Sequence, residues 1–301
     1  MNQLFYIVVT LILTQSKSDF DYCQLKCHKY THTMCLYKGV SKKCEDFKES
    51  NINDEAKKII VDKHNEMRRC IANGTKYKPG HPEMPKAANM MKLEWSEESA
   101  RVAQRWADQC TYEHDQCRKL KSMDNGQNMA RLIGPTPFSA IPYVKFLESF
   151  YNEIMKFKVS LIDKYHPEGG IGHFSQEVWA ETQYIGCGAS FYSVSGLKKK
   201  YYAFLVCNYG PRGNLIKAPL YKKGEPCSAC PNGTICEDGL CAVPRAVELT
   251  TPAGKESFAS PEVTTILPTP AGTQHLVPQK LSTILIPSLY YISLKYIFFK
   301  I

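Results

Sequence analysis

The chain has 301 residues, of which 44% are hydrophobic and 22% are charged, and this composition is ordinary for a globular protein. Lysine and arginine outnumber aspartate and glutamate by 38 to 29, which gives a formal net charge of +9. This charge is spread along the chain without a dense basic helix, so the composition disfavours a nucleic-acid-binding protein.

Residues 1–18 are predicted to be a signal peptide. Residues 4–13 form an apolar run of the length found in signal peptides, and this run is too short to span a bilayer. Thirteen cysteines fit an oxidising compartment. We therefore expect a secreted, extracellular protein, with Asn73 and Asn232 as candidate glycosylation sites on exposed loops.

A cysteine-rich lead segment is predicted at residues 19–52. Four cysteines stand close together in it: Cys23, Cys27, Cys35 and Cys44. So short a span cannot enclose a core, so the cysteines must crosslink the segment to itself or to the domain that follows. Sequence arithmetic leaves their pairing open.

The main domain, predicted at residues 53–222, opens with a helix at residues 53–71. Asn53 or Asp54 supplies the cap that a helix needs at its amino end. Apolar side chains then recur at helical spacing and predict one buried face, made by Ala56, Ile59, Ile60, Met67 and Ile71.

Two more helices and a short strand are predicted further along. Ser96 is a cap for a second helix at residues 97–110, and a third helix, rich in Phe and Tyr, is predicted at residues 139–159. The strand is expected at residues 126–130.

An antiparallel hairpin is predicted near the end of the main domain. Residues 184–194 and 200–208 are dense in apolar side chains and flank a short turn. Cys187 and Cys207 lie in opposite strands, where a disulfide between them would fix the register. With the helices, this hairpin predicts an α+β fold, with helices on both sides of a small antiparallel sheet.

Beyond the main domain, a compact cysteine-rich hinge is predicted at residues 223–243. It contains four cysteines: Cys227, Cys230, Cys236 and Cys241. Their spacing would also suit a zinc site of four thiolates, but in a secreted protein two disulfides are expected.

The remaining residues predict a tail in two parts. Residues 244–280 are rich in Pro, Thr and Ser without periodicity, which predicts a disordered, O-glycosylated linker. Residues 281–301 are apolar, but Pro287, Lys295 and Lys300 disfavour a membrane span. A GPI-attachment signal is the alternative for this tail, and only then would the membrane be a partner.

Several motifs of the main domain resemble those of one known family. Residues 172–179 (Gly-His-Phe-Ser-Gln-Glu-Val-Trp) and residues 204–214 resemble the paired signatures of the CAP superfamily. That superfamily comprises cysteine-rich secretory proteins, insect venom antigen 5 and plant pathogenesis-related proteins. Residues 64–68 and 126–130 match two further family motifs, and residues 32–35 resemble the lead segment of the antigen 5 group.

The resemblance implies a CAP-type α-β-α sandwich followed by a disulfide-linked hinge. It also implies six disulfides, Cys23–Cys35, Cys27–Cys117, Cys44–Cys110, Cys187–Cys207, Cys227–Cys236 and Cys230–Cys241. Cys70 is then the odd cysteine, expected to be a buried free thiol or, as the alternative, a site of intermolecular pairing.

A cleft made by His114, Gln127, Glu153 and His173 is also implied by the resemblance. The family has a glutamate where this chain has Gln127, and glutamine cannot ionise or act as a base. The two imidazoles remain suited to zinc or copper, although no cofactor is required; a solvated polar cleft without metal is the alternative.

The resemblance predicts a secreted, non-enzymatic protein of the antigen 5 type, as in venom or salivary allergens. One expected partner is a small amphipathic lipid held against the aromatic stretch at residues 138–157. Another is a host protein that contacts the loops at residues 73–85 and 111–124.

The alternative function is that of an arthropod surface protein, secreted or GPI-anchored, with a structural or developmental role or a role in protein interaction. The chain has no Gly-x-Ser-x-Gly elbow, which disfavours a serine hydrolase. A metal-dependent hydrolase is the least favoured class, because Gln127 cannot serve as a base, and we predict no catalytic residue.

Overall fold

The structure, a computed structural model, describes residues 20–195 and 199–244. The predicted signal peptide, the linker and the apolar tail lie outside these described residues. None of the helices within these ranges combines the length and the hydropathy that crossing a bilayer would require.

The described residues form short and long elements in the following order. The α-helices are α1 (Thr33–Leu36), α2 (Asp54–Asn73), α3 (Glu97–Ala107), α4 (Tyr143–Tyr151) and α5 (Gly172–Glu177). The strands are β1 (Lys26–Cys27), β2 (Tyr30–Thr31), β3 (Glu45–Glu49), β4 (Glu94–Trp95), β5 (Gly126–Gly134), β6 (Tyr184–Val194), β7 (Lys200–Gly210), β8 (Ile235–Glu237) and β9 (Leu240–Ala242). Short 3-10 helices cover Tyr22–Gln24, Asn152–Lys156 and Val159–Leu161.

The central sheet has the strand order β3-β6-β7-β5, with β4 pairing parallel to β6. Strands β6 and β7 form the predicted hairpin, and the Cys187–Cys207 disulfide joins directly opposed residues. Side chains of β7 alternate between two cores: Leu205 faces α2, α4 and α5, whereas Phe204 faces α3. The α-β-α sandwich that the sequence predicts is therefore confirmed.

Helix α3 lies unusually close to the sheet because two glycines of β6 leave room for it. A Cβ atom on Gly186 would lie 2.2 Å from the backbone nitrogen of Ala100, and one on Gly188 would lie 2.3 Å from the backbone of Gln104. The side chain of Gln104 exchanges two hydrogen bonds with the backbone of Ala189, at 2.9 and 3.0 Å. This contact fixes α3 to β6.

Helix α2 has the predicted cap and, apart from one residue, the predicted buried face. The side chain of Asn53 accepts a hydrogen bond from the backbone of Ala56, and Gly74, with a φ of 67°, ends the helix. Of the two adjacent isoleucines predicted on the buried face, Ile60 is completely buried, whereas Ile59 is 37% exposed.

The predicted third helix is wrong in its bounds. Pro142 lacks a backbone donor and restricts the residue before it, so α4 begins only at Tyr143. After Tyr151 the chain tightens into the 3-10 helix Asn152–Lys156, which turns Glu153 towards α5. The second helix also ends early, because Cys110 has a left-handed φ of 52° and is held by its disulfide to Cys44.

Six disulfides are present in the described residues, and their pairing is the one that the resemblance implies. Cys23–Cys35 lies within the lead segment, and Cys187–Cys207 lies within the β6–β7 hairpin. Two fasten the lead segment to the loop after α3, namely Cys27–Cys117 and Cys44–Cys110. The last two, Cys227–Cys236 and Cys230–Cys241, lie in the hinge.

The hinge packs against the main domain. Cys241 exchanges backbone hydrogen bonds of 2.8 Å with Met90 and Lys92, and Leu240 is completely buried. Arg69 of α2 forms an ion pair of 2.6 Å with Asp238 in the β8–β9 turn. The hinge therefore contributes to the same hydrophobic core as α2.

The two candidate glycosylation sites, Asn73 and Asn232, differ in their surroundings. Asn73 is half-buried at the end of α2 rather than on an exposed loop, and a Cβ atom on Gly239 of the hinge would approach its Oδ1 at 2.9 Å. Asn232 is exposed in the hinge, as expected.

Because Leu240 belongs to the common core, we expect Leu240→Ala to lower the free energy of unfolding by about 2–5 kcal/mol. Urea unfolding followed by tryptophan fluorescence measures this loss. Ile235→Ala, at a 52% exposed position of the same hinge, is the matched control and should change stability by at most about 0.5 kcal/mol. An unchanged main transition in Leu240→Ala would show that the hinge unfolds separately.

Candidate functional site

The four predicted cleft residues come from four different segments and meet at the β5 edge of the sheet. His114 lies in the loop after α3, Gln127 on β5, Glu153 in the 3-10 helix after α4, and His173 near the start of α5. They form two hydrogen-bonded pairs: His114 Nδ1 lies 2.8 Å from Gln127 Oε1, and His173 Nδ1 lies 2.8 Å from Glu153 Oε1.

Glu153 holds both the backbone and the ring of His173. Its Oε2 accepts hydrogen bonds from the backbone N–H groups of His173, at 2.7 Å, and Phe174, at 3.2 Å. Its Oε1 accepts the proton on Nδ1 of His173, which leaves the ring lone pair on Nε2. The ring of Phe150 stacks on the imidazole with 4.7 Å between centroids.

Gln127 holds the second imidazole in a matching way. Its amide nitrogen donates to Asp115 Oδ1 and to Asn208 Oδ1, each at 3.1 Å, so its oxygen must face His114. An amide oxygen can only accept, so His114 carries its proton on Nδ1 and its lone pair on Nε2. Each histidine is therefore in the same tautomer.

Asp115 is a site residue that reasoning from the sequence missed. Its carboxylate is buried and accepts hydrogen bonds from the Thr33 hydroxyl, from Arg118 Nε and from the Gln127 amide. An anionic group therefore lies behind Gln127 in place of the family's glutamate. The sequence signal for it was its position beside His114 with an arginine three residues later.

The pKa of His114 is lowered from its ordinary value, mainly by loss of hydration among its neighbours, although part of the residue is exposed. The hydrogen bond that His114 donates to Gln127 opposes this lowering of the pKa, whereas the charges of Arg118 and His173 add to it. Both histidines are bonded to adjacent residues of β5, because His114 pairs with Gln127 and the backbone oxygen of His173 accepts from Asn128. His114 is neutral at pH 7 and its lone pair is available.

The candidate nucleophiles near the site are engaged elsewhere. The hydroxyl of Ser175 lies 2.6 Å from Asn214 Oδ1 and 3.2 Å from the backbone oxygen of Gly172. Cys70 is half-buried rather than fully buried, and desolvation raises the pKa of its thiol, which disfavours the reactive thiolate.

The aromatic stretch that was expected to line a lipid slot belongs mainly to the core. Phe146, Phe150 and Tyr151 are completely buried, and Phe157 is nearly so. Their contacts are with α2, α5 and the sheet, because α4 turns its aromatic face inwards. Phe138 and Tyr143 are partly buried at the edge.

In the part of the chain that the structure describes, one group of three or more side chains has metal-ligand geometry, and it consists of Cys227, Cys230 and Cys241. All three sulfurs are in disulfides, so they are not thiolate ligands. The two histidines of the cleft remain as the candidate metal ligands.

A second polar cluster lies buried beneath the cleft. The guanidinium of Arg68 is completely buried and donates to five backbone carbonyls, those of Met91, Glu177, Trp179, Ala180 and Thr182. These bonds tie α2 to the segment that follows α5. The adjacent His64 donates from Nδ1 to the Ile60 carbonyl and lies 3.0 Å from the Tyr209 hydroxyl.

Glu177 is the strained member of this cluster. Its side chain is 1% exposed, and within the described residues neither carboxylate oxygen has a hydrogen-bond partner. Burial, reinforced by the charge of Glu153 and opposed by Arg68, raises its pKa well above the ordinary value. Burial also lowers the pKa of His64, 3.5 Å away, to about 4. Burial therefore favours the uncharged form of both groups.

A carboxyl group whose pKa is raised by folding stabilises the protein fully only below its unfolded pKa of about 4.3, and this contribution is lost as pH rises. We expect Glu177→Gln to have nearly wild-type stability at pH 4 and to exceed it by roughly 1–3 kcal/mol at pH 8. Urea unfolding of the variant and the wild type from pH 4 to pH 8 measures the difference between their free energies of unfolding. Because His64 titrates in both proteins, this difference reports on Glu177.

Glu181→Gln is the matched control, because Glu181 is exposed four residues away. Removing this exposed carboxylate should change the free energy of unfolding by at most about 0.5 kcal/mol at each pH. A difference for Glu177→Gln that is equally flat would show that Glu177 is ionised in the folded protein.

The comparisons with known proteins agree on one family. The family model described as "Cysteine-rich secretory protein family", or CAP, matches residues 61–209. "Venom allergen 5" of Polybia scutellaris rioplatensis is 37% identical over 209 residues, which are 67% of this chain and 99% of that protein. "Venom allergen 5" of Tityus serrulatus is 35% identical over 242 residues. The matched region is 77% of this chain but only 55% of that longer relative.

Solved structures give the same result. The structure titled "Structure of BmVAL-1" matches with a TM-score of 0.55 and 26% identity, over 64% of this chain and 96% of that one. The structure titled "Crystal structure of NaASP2 with Zn2+" matches with a TM-score of 0.50 and 29% identity, over 66% of this chain and 99% of that one.

Proposed function

Because the chain belongs to the CAP family of cysteine-rich secretory proteins, with venom allergen 5 proteins among its relatives, we propose that it is a secreted, non-enzymatic binding protein. In this proposal, His114 and His173 hold a divalent transition metal, zinc or copper, and the surrounding loops present the cleft to a host protein. The observation that carries the metal site is the matched tautomer of the two imidazoles.

The residues around the imidazoles fit a metal. Histidines that ligate metals usually donate their second ring N–H to a carboxylate or carbonyl, which orients the ring and raises its basicity. Glu153 and Gln127 accept these bonds at 2.8 Å, so the Nε2 lone pair of each ring is the ligand. The lowered pKa of His114 keeps its ring neutral, as metal binding requires. The similar protein NaASP2 has been crystallised with Zn2+, which supports the same class of ligand here.

A non-enzymatic role is supported by the hydrogen bonds of Gln127 and Asp115, which already occupy the polar groups of both side chains. Gln127 cannot act as a base, and its amide is held by His114, Asp115 and Asn208. Asp115 is committed to Thr33, Arg118 and Gln127. A bound metal would supply a Lewis acid, but we propose that it orders the cleft surface for recognition.

A protein partner has more support than an amphipathic lipid. The large aromatic side chains of α4 are used in the core, whereas the loop that carries His114 is exposed at Glu113, His114 and Gln116. Two disulfides fix this loop to the lead segment. A rigid exposed loop beside the metal site loses little entropy when a partner binds.

Calorimetric titration with zinc, repeated with copper, tests the metal site. We expect one site of modest affinity in the wild type and no measurable binding in His114→Ala or His173→Ala, because each variant removes one of two ligands. His166→Ala, whose ring is 59% exposed and outside the cleft, is the matched control and should bind as the wild type does. Absence of heat in the wild type, or full affinity in His173→Ala, would contradict the metal site.

The role of Glu153 gives a second test. Glu153→Gln keeps the size of the side chain but weakens the acceptor for His173 Nδ1–H, so zinc affinity should fall about 10- to 100-fold. The same titration measures this change, and a circular dichroism spectrum like that of the wild type shows that the fold is intact. Wild-type affinity in this variant would mean that Glu153 does not orient the ring.

A further inference from the structure

A second concave site lies on the described surface, lined by groups outside the metal-ligand set. This basic pocket has a volume of about 440 Å³ and is lined by Lys26, His28, Arg118, Lys119, Asp124 and Arg212, among others. Its volume is that of a small-molecule site. The lining comes from the β1–β2 hairpin, the loop after α3 and the turn after β7.

The charges that line the basic pocket are unbalanced. Lys26, Arg118, Lys119 and Arg212 are cations, and Asp124 is the one acidic residue of the lining. Asp124 is already 3.3 Å from the Lys119 ammonium. In the described ranges, Lys26 and Arg212 have no ion-pair partner. A concave surface with charges of one sign concentrates its field and attracts counter-ions.

On the side of the basic pocket next to the cleft, the charge of Arg118 is balanced by the buried carboxylate of Asp115. Arg118 directs its Nε to the buried carboxylate of Asp115 and its Nη2 to the Asp115 backbone oxygen. Arg118 is therefore held in one orientation and contributes less free charge than the others. Lys26 and Arg212 supply most of the uncompensated charge.

The three segments are fixed relative to one another, so the cations are already assembled. The Cys27–Cys117 disulfide joins the β1–β2 hairpin to the loop after α3. His32 Nε2 lies 2.8 Å from the backbone oxygen of Lys119, and the backbone N–H of Arg212 donates to the Asp124 carbonyl at 2.8 Å. A preorganised site spends less free energy on ordering when a ligand binds.

We propose that the basic pocket binds a small polyanion, namely a sulfated or phosphorylated sugar unit. Cations from three segments surround a space larger than one inorganic sulfate or phosphate occupies, so a ligand with two or more anionic groups on one sugar-sized body fits it. Guanidinium and ammonium groups form charge-assisted hydrogen bonds with such oxyanions. The site requires no metal, because its cations are side chains.

Calorimetric titration of the full chain tests this proposal, with a trisulfated heparin disaccharide, inositol 1,4,5-trisphosphate and inorganic sulfate as separate probes. EDTA is present throughout, so that binding through a metal at the histidine pair is excluded. We expect the disaccharide or the trisphosphate to bind in a 1:1 ratio, more tightly than sulfate. The affinity should fall as salt is added, because exposed charges are screened.

Lys26→Gln and Arg212→Gln should each weaken binding of the tighter probe about fivefold, and the double variant more than about tenfold. Both side chains are exposed, so their thermal unfolding should match that of the wild type. Lys164→Gln removes an equal charge at an exposed position outside the lining and should leave the affinity unchanged.

Four outcomes would overturn the proposal. These are no binding of either sugar probe to the wild type, wild-type affinity in the double variant, an equal loss in Lys164→Gln, or sulfate binding as tightly as the sugars. Which sugar probe binds more tightly decides between a sulfated and a phosphorylated ligand. Loss of zinc binding in His173→Ala with the polyanion still bound would separate this site from the metal cleft.

Discussion

The buried guanidinium of Arg68 is the interaction on which the functional end of the molecule depends. A guanidinium group buried away from water is costly unless its N–H groups have hydrogen-bond acceptors. Five backbone carbonyls accept hydrogen bonds from Arg68. Four of these carbonyls belong to the segment from Glu177, the last residue of α5, to Thr182. The position of α5, and with it His173, is therefore fixed to α2 from inside the protein. The same low-polarity environment explains why Glu177 and His64 favour their uncharged forms.

The cleft lies at the β5 edge of the sheet, and its residues come from segments that cover both faces of the sheet. Neighbouring residues of a strand point to opposite faces, so Gln127 reaches His114 on the side of α3, while Asn128 donates to the His173 carbonyl on the other side. An edge strand is where segments that cover the two faces can meet. Where the family has a glutamate, this chain has Gln127, and the carboxyl group of Asp115 lies behind it and accepts three hydrogen bonds. The site is thus arranged to hold its imidazoles still.

The two cysteine-rich segments are structural parts of the domain. The lead segment is fastened to the loop after α3 by two disulfides, and Thr33 reaches the Asp115 carboxylate. One crosslinked loop therefore carries His114 of the cleft and also lines the basic pocket. The hinge contributes Leu240 to the common core and an ion pair to Arg69. Crosslinks of this kind position surface loops without a large core of their own.

The sequence alone determined the elements whose signals are local. Alternating apolar residues, a cap at Asn53 and helical spacing predicted the β6–β7 hairpin and helix α2, while family motifs indicated the sandwich and the four cleft residues. Tertiary structure decided what depends on contacts between distant segments. The break after Tyr151, the burial of Glu177 without partners, and Asp115 behind Gln127 follow from side chains more than ten residues away. Periodicity reports which face of an element is apolar, but the partner that covers this face is chosen only when the whole chain packs.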